Sequence, residues 1–167
     1  MRRLVVLCAL VAALAAPASA FAAHLSAGDG TLVVKNGTAP QGVPVVALKI
    51  TGAAIGYVEH GHIVIDDPTP NNKESPEVTG WESRKDGPTD TSQTWSGFKF
   101  TFRAVGGRYT ILIYGTGVNV VAVGRGTVAL AGLPDTPSGD GLYSLNDDPF
   151  HSLPAVQTGK LAIGSSG

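Results

Sequence analysis

The sequence predicts an all-β chain, either an antiparallel β-sandwich or an eight-strand barrel built from two similar four-strand meanders. Three observations predict it. Beyond an apolar leader the chain is poor in helix formers and rich in Val, Ile, Thr and Gly. Its apolar residues alternate with polar ones, the period of two that marks a half-buried strand. Short glycine-bearing links separate these runs, and glycine accepts the positive φ that tight hairpins require.

Residues 1–23 read as a signal peptide. Arg2 and Arg3 form a positive start, "LVVLCALVAALAA" an apolar stretch of signal-peptide length, and Ala18-Ser19-Ala20 a small-residue cleavage site. The run is short for a membrane anchor and no stop-transfer pattern follows, so no membrane span is expected in the mature protein. The expected location is extracytoplasmic, either secreted or held in the cell envelope. Cys8, the one cysteine, falls inside the leader without the small residue that precedes a lipidated cysteine. The expected mature chain therefore has neither a disulfide nor a thiolate metal site. It must rely on its core, and a chain of about 145 residues buries roughly 68% of its unfolded surface.

Eight strands are expected, at 31–36, 43–51, 53–59, 62–66, 97–104, 108–114, 118–123 and 127–131. "FKFTFRA" puts Phe98, Phe100 and Phe102 on one side, with Lys99, Thr101 and Arg103 on the other. "VVALKITG" and "RYTILIYG" are more uniformly apolar, as strands covered on both faces are. The links "TGA", "EHGH", "VGGR", "GTG" and "GRG" read as hairpin turns. The two halves look duplicated. Leu48, Ile50, Gly52, Ile55 and Tyr57 match Ile111, Ile113, Gly115, Val118 and Val120 at an offset of 63 (115 less 52). With two extra residues in the later turn, Gly61, Ile63 and Ile65 match Gly126, Val128 and Leu130. One domain is expected over 24–150, with 151–167 as a flexible tail and "YSLND" adding a final short strand.

Between the meanders lies a long polar insertion at 67–96, with Trp81 and Trp95 in it and prolines at 68, 70, 76 and 88. A connection this long is usually functional or mobile. The indoles can plug an open end of the sandwich as part of a lid. Alternatively they can meet a ligand, by stacking on a sugar ring or anchoring a protein partner. Trp81 and Trp95 are thus the candidate ligand-binding residues.

Other chemistry finds less support. "GRGTVALAG" contains a Gly-x-Gly-x-x-Ala string, but a dinucleotide site needs a helix straight after the glycines to hold pyrophosphate. Here a short β-like run ends at Pro134, so Gly124 and Gly126 read as hairpin glycines. His60 and His62 project from one face of a continuous strand and could contribute to a metal site with Glu59 or Asp66, yet two ligands do not make one. "DTPSGDG" and "NDDP" lack calcium-loop spacing. Asn36-Gly37-Thr38 is an N-glycosylation acceptor pattern that a turn explains equally well. No nucleophile elbow, zinc-protease helix or placed carboxylate pair marks an enzyme, so no catalytic residue, metal or cofactor is expected. Without Arg2 and Arg3, 10 basic residues face 13 acidic ones, which gives no electrostatic footprint for nucleic acid.

"GRGTVALAG" followed by "GLYSLNDDPFHSLP" resembles the ending of small exported all-β proteins of actinobacteria. The resemblance runs from "GDGTLVVKNG" through "SLP". It implies export and a β-rich fold and carries over no functional residue. The expected function is a non-enzymatic structural or protein-interaction module of the cell envelope or extracellular space. The alternatives are a ligand-binding module, taking a glycan at the tryptophans or a small apolar molecule inside a barrel, and, last, a hydrolytic or metal-dependent enzyme.

Overall fold

The computed structural model describes residues 26–70, 75–133 and 141–165. The leader, His24, Asn71–Glu74 and most of "DTPSGDG" lie outside them. Among the described residues the chain is all β, in the order β1 (Gly30–Gly37), β2 (Val46–Asp66), β3 (Glu77–Thr79), β4 (Ser83–Asp86), β5 (Ser92–Thr116), β6 (Val118–Leu130), β7 (Leu142–Leu145), β8 (His151–Ser152) and β9 (Leu161–Ile163). Every pairing is antiparallel. They join into one sheet of order β3-β5-β2-β6-β1-β7-β8, with β4 on β5 and β9 on β6.

The expected meanders do not form. Runs 43–51, 53–59 and 62–66 merge into β2, while 97–104 and 108–114 merge into β5, and 118–123 and 127–131 into β6. Except for Gly117, which lies between β5 and β6, the glycines read as hairpin turns are bends within unbroken strands. A 25-residue strand such as β5 would reach roughly 80 Å if straight, so it must coil. Residues 110–113 of β5 pair with 46–49 of β2 on one side and with 63–66 of the same strand on the other. The sheet thus folds over on itself like a sandwich, but its end strands β3 and β8 do not meet and it is not closed into a barrel.

Two rows of glycines run across the bends. Gly107, Gly52, Gly124 and Gly30 are successive ladder partners, as are Gly97, Gly61 and Gly115. At Gly52 and Gly124 φ is 147° and 142°, and at Gly61 and Gly115 it is 156° and 135°. A Cβ on Gly52 would stand 2.9 Å from the Gly124 Cα and collide with the Val123 carbonyl oxygen. Only glycine combines that backbone with so close an approach. Gly52 pairs with Gly124 and Gly61 with Gly115, and 63 residues separate 52 from 115 as they do 61 from 124.

A bulge at Gly106 completes the coil. Gly52 pairs with Gly107 and Ala53 with Val105, leaving Gly106 unpaired at φ 84°. The extra residue flips the alternation. Phe100, Phe102 and Ala104 face inward before it, and Tyr109, Ile111 and Ile113 after it. All six join one core with Leu48, Ile50, Ile63 and Ile65. The segment expected as a flexible tail supplies β8, paired with β7, and β9, paired with β6.

Candidate functional site

The described parts of the insertion, residues 67–70 and 75–96, fold against the ends of β2 and β5. Glu82 N–H donates to the Ser96 carbonyl, Gly87 N–H to that of Ser92, and Asp67 N–H to that of Thr91. Thr89 and Thr91 hydroxyls both donate to Asp66 Oδ1. The bonds from Glu82 and Gly87 flank β4 on the edge of β5 at Gln93–Ser96, and β3 pairs with the same edge at Thr101–Arg103. A cleft of about 420 Å³ opens between them and the end of β2, within the range of about 300–1,000 Å³ usual for small-molecule sites.

The cleft brings both tryptophans together, in unlike environments. Trp95 was expected in a loop but belongs to β5. It is only 5% exposed and joins the core. Trp81 sits on the connection between β3 and β4, 42% exposed. Trp95 thus packs into the core from within a strand and not from a loop lid, while Trp81 presents an indole at the cleft. Between them stands Arg84, directly opposite Trp95 in the β4–β5 ladder, its guanidinium carbon 5.7 Å from the indole centre. At that distance the cation meets the negative face of the ring.

Asp67 is the site residue that the sequence reading missed. It follows the last residue of β2, is 5% exposed and lines the cleft. Its Oδ1 accepts the Thr69 N–H at 3.2 Å, whereas Oδ2 has no hydrogen-bond partner among the described residues. An orphaned buried carboxylate oxygen is uncommon, because burial strips water from it without replacement. Ser75, Glu77, Thr91 and Gln93 complete the polar lining.

The histidines lie elsewhere. His60 stacks on Phe98, centroids 4.3 Å apart and planes 3° from parallel, and His62 stacks on Tyr114 at 4.4 Å. Burial and the nearby Lys85 ammonium hold the His62 imidazole below its ordinary pKa. Each ring is thus engaged by a different aromatic neighbour. No group of three His, Cys, Asp or Glu able to hold a metal occurs among the described residues. Gly124 and Gly126 lie inside β6 and no helix follows them, so the dinucleotide pattern has no structural counterpart. Among the described residues no helix is long and apolar enough to cross a membrane. No protein-family model, curated protein or solved structure matches the chain.

Proposed function

We propose that the protein is an exported, non-enzymatic binding module of the cell envelope or extracellular space, and that it binds through the cleft of the 67–96 segment. One observation carries this reading. An exposed indole and a buried carboxylate with a free oxygen line the same cleft. Each is costly in an empty protein, and each is relieved by an occupant with an apolar face and a hydrogen-bond donor.

Sedimentation with isolated cell-wall material and secreted polymer tests the proposal. Wild-type protein should be retained, Trp81→Ala should be lost to the supernatant, and no reducing ends should be released. Equal retention of both proteins would move the contact surface away from the cleft, and polymer cleavage would make the protein an enzyme. A protein-contact reading is favoured by a second feature, the outward Phe98, 56% exposed beside His60. In that case Phe98→Ala, not Trp81→Ala, would abolish retention.

A further inference from the structure

We infer that the cleft takes a neutral saccharide ring, its C–H face on the Trp81 indole and one of its hydroxyls donating to Asp67. This rests on the cleft being the recognition site proposed above. The ligand class follows from what the lining favours and opposes.

An anion is opposed by two carboxylates, Asp67 and Glu77. A cation would meet the like charge of the Arg84 guanidinium, which lies over the Trp95 indole and lines the cleft. A wholly apolar molecule would satisfy Trp81 but leave Asp67 Oδ2 without a donor in a still drier site. What remains is a neutral molecule with one apolar face and several hydroxyls around its rim, which is the chemistry of a pyranose.

The polar groups suit such a ring. Asp67 and Glu77 accept hydroxyl protons, Arg84 donates to hydroxyl oxygens, and Gln93 does either. Asp67 Oδ2 is buried at the wall of the cleft. The last side-chain torsion of aspartate is broad, so a turn about it brings a carboxylate oxygen toward a ligand. A mobile, flat-lying hydroxylated surface thus finds a rigid aromatic partner and a single buried hydrogen-bond anchor. That division of labour gives orientation as well as affinity.

The test uses the full exported chain with chitohexaose, cellohexaose, maltohexaose and laminarihexaose, followed by calorimetry and tryptophan fluorescence. Spermidine and polygalacturonate serve as cationic and anionic probes. Trp81→Ala and Asp67→Asn are compared with Lys49→Ala, which changes an exposed residue of β2 outside the cleft. Circular dichroism and melting confirm that each variant folds. At least one neutral hexaose should bind saturably, about tenfold or more weaker in Trp81→Ala and Asp67→Asn and unchanged in Lys49→Ala. If only spermidine or polygalacturonate binds in a Trp81-dependent way, the saccharide inference falls and the cleft remains the recognition site. If no probe binds, the saccharide inference falls, and retention of the wild-type protein on polymer decides the cleft reading separately. A hexaose that binds all three variants alike overturns both.

Discussion

Arg84 and Trp95 face each other directly across the β4–β5 ladder, the guanidinium carbon 5.7 Å from the indole centre. This pair joins the short, wholly exposed strand β4 to the core. Replacing Arg84 with Ala should cost about 0.5–1 kcal/mol, the usual worth of a partly exposed cation–π contact. Denaturant unfolding in a Trp81→Phe background would measure it, with Trp95 emission shifting to the red as water reaches the ring. Lysine should restore only part of the loss, because its ammonium cannot lie flat on the indole. Unchanged stability and emission in Arg84→Ala would mean that β4 is held by its backbone bonds alone.

The glycine rows predict a sharper effect. Gly61→Ala would place a Cβ against the Tyr114 carbonyl oxygen and 2.8 Å from the Gly115 Cα, at a φ that side chains rarely adopt. A loss of about 1–3 kcal/mol is expected from the backbone conformation alone, before any clash. Gly159, with nothing within 4 Å of its would-be Cβ, is the control and should change by no more than about 0.5 kcal/mol on Ala substitution. Equal urea midpoints for the two variants would refute the claim that close glycine crossings set the coil.

The same glycines show how much of the fold was legible. "FKFTFRA" declares its strand because each apolar residue has a polar neighbour, and the structure buries Phe100 and Phe102 on one side, but Phe98 is 56% exposed because the alternation breaks at Lys99, whose φ is 53°. Gly52 and Gly61 were read as turns because a positive φ serves a hairpin and a bent strand equally well. What separates the two is the residue opposite, and Gly124 and Gly115 are far away in sequence. The shared offset of 63 (124 less 61) was the available clue. Trp95 was assigned to a loop because Ser92, Thr94 and Ser96 surround it, although Ser92 and Thr94 are themselves buried. Asp67 directly follows the last residue of β2. Its burial depends on the insertion folding over it, a long-range event that no local pattern encodes.

His62 gives the fold a pH dependence of definite sign. Burial first, and Lys85 second, hold its pKa below the ordinary value of 6.5. The unfolded chain therefore takes up the proton more readily than the folded one. The contribution to stability is complete above pH 6.5 and is lost as pH falls through the depressed value. Comparing urea midpoints from pH 8 to pH 5, wild-type protein should weaken more on acidification than His62→Gln, and Lys85→Gln should fall between them. Parallel curves for wild type and His62→Gln would show that the imidazole titrates alike in both states.

Asp67 should separate stability from binding. Asparagine in its place still offers an oxygen to the Thr69 N–H, and it exchanges a buried, partnerless carboxylate oxygen for a neutral amide. Burying a neutral polar group costs less than burying a charge. Asp67→Asn should therefore be at least as stable as wild type, to within about 1 kcal/mol, while losing affinity for the ligand of the cleft. Asp67→Ala removes the Thr69 acceptor as well and should give up about 1 kcal/mol for that bond. The pattern is that of a site which keeps a strained group because its occupant needs it. A loss of several kcal/mol in Asp67→Asn, read from denaturant unfolding, would instead make the carboxylate a structural anchor and remove the chief reason for assigning it to a ligand.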